Sequence, residues 1–80
     1  MSNKEAIVWS QEHCPYCDRA KYLLKKMGYS VIEKKIGVNV TRDDFFAAIP
    51  NARTVPQIFI DNKLVPDGFD GLQKYFDVNT

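Results

Sequence analysis

Cysteine is scarce in this chain of 80 residues: there are two, Cys14 and Cys17, with two positions between them. A small secreted scaffold stapled by disulfides uses more cysteines at wider spacing, because the stabilisation grows with the loop each bridge closes. This pair closes almost nothing, so its oxidation adds little to the fold, and the sulfurs serve reactivity or a metal. Histidine is scarcer still, with His13 alone. A structural zinc site wants four ligands, and only His13 and Asp18 stand near the cysteines as further candidates. Covalent haem requires histidine directly after the second cysteine, where Asp18 stands. No metal is expected. An excess of charge is also lacking: eleven Lys and Arg against ten Asp and Glu leave a formal charge of +1 and no field for holding nucleic acid or an anionic membrane. No apolar run approaches the roughly 20 residues of a bilayer span. The opening MSNKEAIVW lacks the basic, apolar and small-residue zones of a secretory signal. The expectation is a soluble, cytoplasmic chain without nucleic-acid or membrane partners.

What is present has ordinary globular composition, 45% apolar, 12% aromatic and 26% charged, which argues against disorder. One domain over residues 1–80 is expected. A domain of this size hides only about 60% of the surface its unfolded chain exposes, so a deep cavity would consume core and the site should be a shallow surface groove. Ala6, Ile7, Val8 and Trp9 form a short apolar run of the kind buried on both faces of a sheet, which predicts a central strand. Ala20, Leu23, Leu24 and Met27 recur at helical spacing, with Arg19, Lys21, Lys25 and Lys26 mostly on the other side and Gly28 as the stop. Val31 to Ile36 mixes apolar and charged residues as an edge strand does. Thr41 and Asp44 make a capping box with Asp in place of the usual Glu, opening a short helix that shows Phe45 and Ile49 on one face until Pro50. Ile58, Phe59 and Ile60 face Lys63, Leu64 and Val65 across Asp61-Asn62, two residues that tolerate positive φ in a hairpin turn. Phe69, Leu72 and Phe76 predict a last helix pinned to the sheet. The order is β-α-β-α-β-β-α, an α/β chain with no repeat, linker or composition shift.

His13-Cys14-Pro15-Tyr16-Cys17 lies where the first strand gives way to the first helix. Pro15 suits the first helical position, because its missing N–H would be unpaired there anyway, and this puts Cys14 at or beside the N-cap. Free backbone N–H groups and the positive end of the helix dipole then favour a thiolate there, holding its pKa well below the ordinary thiol range. Cys14 is the expected nucleophile. Cys17, inside the first turn, is expected to be more buried and to reach Cys14. Such a pair exchanges with an external disulfide by attack, mixed-disulfide formation and displacement. The alternative is two inert cysteines serving as small hydrophobes.

Cys14-Pro15-Tyr16-Cys17, the downstream Thr54-Val55-Pro56 and the Gly68-Phe69-Asp70 segment, at these separations, resemble the dithiol, C-P-Y-C branch of the glutaredoxins. The likeness runs from Ala6 to Phe76. C-x-x-C alone is a weak signal, but C-P-Y-C followed by T-V-P, a hairpin and a glycine turn is specific. Thioredoxin is a poorer match, being longer and carrying Gly-Pro between its cysteines. The resemblance implies a thioredoxin fold, a four-stranded mixed sheet flanked by three helices. It implies a glutathione-dependent oxidoreductase that reduces protein disulfides and glutathione mixed disulfides, with glutathione as the reducing co-substrate. It further implies a cis Pro56 facing the cysteines beside Thr54, with the Val55 backbone pairing with the cysteinyl part of glutathione. After the Gly68 turn, the N–H groups of Phe69 and Asp70 would hold the γ-glutamyl carboxylate, as a helix N-terminus favours an anion, and the Asp70 side chain would meet the amino group. Without the resemblance, Pro56 is a proline opening a strand and Asp70 a first-turn dipole partner.

Two departures stand out. Gln11 takes the place of a lysine that many members carry three residues before the first cysteine for the glycine carboxylate of glutathione, and it brings no charge. Asp67-Gly68 replaces a Gly-Gly turn, with an extra residue in Val65-Pro66, and Asp67 adds negative charge beside a carboxylate site. Weaker glutathione binding than is usual follows, with Arg53 compensating and Tyr16 packing along the ligand; the alternative leaves both as ordinary exposed side chains. Two other functions remain open: a redoxin recharged by thioredoxin reductase, and a scaffold for a glutathione-assisted iron-sulfur cluster between subunits, against which the bulk of Pro15-Tyr16 argues. Expected partners are disulfide-bearing or glutathionylated proteins. Ribonucleotide reductase is a frequent client of the family, though no residue here singles it out. A monomer is expected.

Overall fold

The computed structural model describes residues 4–78. Its strands are β1 (Glu5–Ser10), β2 (Ser30–Lys35), β3 (Gln57–Ile60) and β4 (Lys63–Val65), and its helices α1 (Pro15–Lys26), α2 (Arg42–Ala48) and α3 (Gly68–Val78). The sheet order is β2-β1-β3-β4, which makes β1 central and β2 an edge, as the residue patterns predict. β1 runs parallel to β2, with Val8 opposite Glu33, and antiparallel to β3, with Val8 opposite Ile58; β3 returns antiparallel as β4. The hairpin turns through Asp61 and Asn62 at φ of 53° and 65°, the positive values that its two-residue loop demands.

Alternation along the strands divides the core. Ala6 and Val8 of β1, Ile58 and Ile60 of β3 and Val65 of β4 meet Ala20 and Leu24 of α1 and Leu72 and Phe76 of α3 in the main cluster. Trp9 turns to the other face and packs with Phe45 of α2 and with Ile49, which caps that helix, its ring centroid 5.8 Å from that of Phe45. The capping box of α2 is complete: Asp44 N–H donates to Thr41 Oγ1 at 3.0 Å and Thr41 N–H donates to Asp44 Oδ2 at 2.9 Å.

Two details differ from the sequence pattern. The edge strand covers Ser30–Lys35, one residue earlier than Val31 to Ile36: Ser30 N–H donates to the Lys4 carbonyl at 2.7 Å, whereas Ile36 forms an isolated bridge to Val40. Lys21 does not join the solvent-facing basic side of α1. Its Nζ lies 2.8 Å from Glu33 Oε2 on β2, and the fully buried Ser10 donates its hydroxyl to the same oxygen at 2.6 Å. Lys21 borders the buried stripe of the helix, next to Ala20, so its long stem crosses to β2 instead of leaving for water. The lysine hydrogen bond and then the serine hold the Glu33 carboxyl below the usual carboxylate range, and the same bond raises Lys21.

Candidate active site

The site stands at the carboxyl end of β1, where open α/β sheets place their ligands. Past Ser10 the chain turns, His13 taking a positive φ of 58°, and Cys14 becomes the N-cap of α1 at φ −121° and ψ 92° with Pro15 as the first helical residue. Cys14 Sγ accepts the Cys17 N–H at 3.1 Å, and the two cysteines are joined in a disulfide. Cys17 is 1% exposed and Cys14 half-buried. One sulfur thus faces the surface and the other lies under the helix, as the sequence predicts.

Opposite stands the T-V-P loop, with a cis Val55–Pro56 bond and the Val55 carbonyl oxygen 4.0 Å from Cys14 Sγ. Gln57 Nε2 braces the loop by donating to the Thr54 carbonyl at 2.7 Å. The start of α3 comes against it: Gly68 has φ +55°, and a Cβ there would meet the Pro56 carbonyl oxygen at 3.0 Å. Both features favour glycine there.

An open groove of about 620 Å³ runs between these walls. Tyr16, Thr54, Val55 and Pro56 line one side and Gly68, Phe69 and Asp70 the other. Tyr16 and Phe69 lie with ring centroids 6.0 Å apart, and the Arg19 guanidinium sits 5.2 Å from the Tyr16 ring. Gln11 and Arg53 line a second hollow of about 230 Å³ that shares Thr54 and Val55 with the first. Asp67, which the sequence places beside the carboxylate site, lines the groove, and two charged residues without a sequence expectation complete the two spaces: Lys74 in the groove and Arg42, the first residue of α2, in the hollow. Lys74 lies one helical turn from Asp70, a spacing that could have exposed it. Arg42 carries no local signal. The groove is therefore acidic toward α3, where Asp67 and Asp70 stand with Lys74, and the hollow beside it is basic. Among the described residues no three His, Cys, Asp or Glu side chains gather as metal ligands.

A cysteine pair bridged at a helix N-terminus, facing the T-V-P loop at the end of a four-stranded mixed sheet with three helices, defines a thiol-disulfide oxidoreductase of the thioredoxin fold. The glutaredoxin family model matches residues 6–65. Glutaredoxin 3 of Escherichia coli (strain K12) is 43% identical over 61 residues, covering 76% of this chain and 71% of that protein. Among solved structures, glutaredoxin 1 from Francisella tularensis complexed with cacodylate is similar at a TM-score of 0.77, with 27% identity over 96% of this chain and 99% of that one. A buckwheat glutaredoxin-glutathione complex is similar at a TM-score of 0.75, with 29% identity over 94% of this chain and 71% of that one. The chain belongs to the glutaredoxin family. Its Gly68-Phe69-Asp70 segment lies beyond the residues that the family model matches, so its position opposite T-V-P rests on the packing of Gly68 against Pro56.

Proposed function

We propose that the chain is a glutathione-dependent oxidoreductase that reduces protein disulfides and glutathione mixed disulfides through Cys14 and Cys17. The observation that carries this reading is the half-buried Cys14, bridged to Cys17 at the helix N-cap, with its sulfur 4.0 Å from the carbonyl of Val55, which with Tyr16 lines the open groove. A likeness to a glutaredoxin solved with glutathione supports the choice of ligand.

In the reduced chain, the Cys17 N–H favours an anionic Cys14 sulfur. That thiolate attacks one sulfur of the substrate disulfide; a new S–S bond joins Cys14 to the substrate, and the other substrate sulfur leaves as a thiolate and takes a proton. Cys17, losing its proton, then attacks Cys14 Sγ, closes the internal bridge and releases the second substrate thiolate, so that two electrons pass from the dithiol to the substrate. Recharging reverses the flow. A glutathione thiolate attacks Cys14 Sγ and frees Cys17, and a second attacks the glutathione sulfur of the mixed disulfide, leaving oxidised glutathione and the Cys14 thiolate.

Glutathione would lie with its cysteinyl backbone along Val55 and its γ-glutamyl end at the N–H groups of Phe69 and Asp70. Its glycine carboxylate would turn into the hollow, where Arg42 and Arg53 supply the charge that Gln11 lacks. A glutathione-coupled disulfide reduction assay tests the reading. Cys14→Ser is expected to lose all turnover. Cys17→Ser is expected to keep removal of glutathione from a mixed disulfide while losing reduction of protein disulfides. Equal turnover by Cys14→Ser, or turnover with thioredoxin reductase but none with glutathione, overturns it.

A further inference from the structure

Beyond the groove, α1 and α3 leave a hollow of about 370 Å³ lined by Arg19, Tyr22, Leu23 and Lys26 on one helix and Phe69 and Gln73 on the other, with Asp18 at its edge. Tyr22 is 70% exposed, more than any other large apolar or aromatic side chain described. The hollow is continuous with the reacting face: Phe69 lines both spaces, and Arg19 lies over the ring of Tyr16. Its charge is basic, because Asp18 is ion-paired with Lys21 at 3.4 Å while Arg19 and Lys26 stand on the same rim.

Distance decides what could fill it. Tyr22 lies eight positions after Cys14, about 12 Å along the helix axis at 1.5 Å per residue. An extended chain covers that in about three or four residues. Glutathione, held between Val55 and the N–H groups of Phe69 and Asp70, would end at the rim that Phe69 shares with the hollow; a polypeptide held at its cysteine extends past that rim. Resting on the oxidoreductase reading, we propose that this hollow receives the segment of a client protein next to its disulfide cysteine. An apolar side chain from that segment packs against Tyr22 and Leu23, and a neighbouring carboxylate meets Arg19 and Lys26. Docking adds no chemical step; it raises the local concentration of the client disulfide at Cys14.

The test uses two peptides with an internal disulfide, one carrying Leu-Glu four residues from a cysteine and one carrying Ser-Lys there, with cystine as a small disulfide control. The wild-type chain is expected to reduce the Leu-Glu peptide with a kcat/KM about tenfold above that of the Ser-Lys peptide, the scale of one interface anchor. In Tyr22→Ser/Lys26→Glu that preference is expected to disappear while cystine reduction is unchanged. No preference in the wild type, or the same preference in both proteins, overturns the proposal. A Leu-Glu peptide with serine in place of its cysteines separates this from the chemistry: it should shift backbone amide resonances over 19–26 and 69–73, and shifts elsewhere or none overturn the docking site. Failure to reduce even cystine overturns the oxidoreductase reading instead, and the amide shifts then decide the docking site alone.

Discussion

Asp67 holds a carboxylate in a left-handed turn, φ 66°, on the wall of the groove that also carries Asp70. If the γ-glutamyl carboxylate binds at the following N–H groups, Asp67 opposes it. Asn tolerates the same backbone, so Asp67→Asn removes the charge and keeps the turn. The KM for glutathione should fall about two- to fivefold, the effect of one exposed charge pair, and the gain should shrink at high salt. An unchanged KM would place that carboxylate elsewhere. Gly71 is a different case. It is buried, and a Cβ there would run into the Pro66 carbonyl, backbone that cannot swing aside. Gly71→Ala should cost about 1–3 kcal/mol by overpacking, and a domain of this size loses about 4–8 °C of Tm per kcal/mol. Thermal unfolding of the variant measures it, and an unchanged Tm would mean that the start of α3 shifts freely. The sequence does not reveal this glycine, because one within a helical pattern looks the same whether it is packed or exposed.

Ser10, Lys21 and Glu33 join β1, α1 and β2 beneath the cysteine turn, and their pairing was not legible because 12 and 23 residues separate the partners of Glu33. The elements themselves were legible, since each carried a period, a cap or a turn residue of its own. Charge sets the pH behaviour of the junction. Glu33, depressed in the folded chain, contributes stability above the pKa of an unfolded carboxylate and loses it as pH falls through its lower folded value. Lys21, raised in the folded chain, contributes below the unfolded lysine pKa and loses its share only as pH rises through its higher folded value. Glu33→Gln should therefore be less stable than the wild type by about 1 kcal/mol near neutrality, given that both groups are partly solvated. Urea unfolding at stepped pH should show the gap closing as the carboxylate is protonated in acid. A gap that persists unchanged into acid would mean that the glutamate acts by shape.

Across the whole molecule the two faces of the sheet are unequally covered. On one, α1 and α3 join the sheet in a cluster of nine buried residues; on the other, the seven-residue α2 contributes to a cluster of three, Trp9, Phe45 and Ile49. The sequence foretold both helix faces and the cysteine turn, whose chemistry is written in neighbouring residues, whereas the T-V-P loop was placed opposite the cysteines only by the family resemblance, since Pro56 on its own looks like a proline opening a strand. It could not foretell that α2 would bring Arg42 beside Arg53 and Gln11, a meeting made only by folding. That meeting ties the basic hollow to the thinner half of the core. A stability of about 0.05–0.15 kcal/mol per residue is not shared evenly when burial is so lopsided, and local opening begins where the fewest apolar contacts are lost. Native-state hydrogen exchange should therefore release the amides of Phe45 in α2 and of Ile49 at its C-cap, which bond to the Thr41 and Phe45 carbonyls at 3.1 Å and 2.9 Å, at a lower free energy than the β1 and β3 amides. The difference should be about 1 kcal/mol or more, and Thr41→Ala, which removes the cap at a cost of about 1 kcal/mol, should widen it. If α2 exchanged only with global unfolding, its seven residues would be bound to the sheet as firmly as the central strands, and the basic hollow would be as rigid as the disulfide turn beside it.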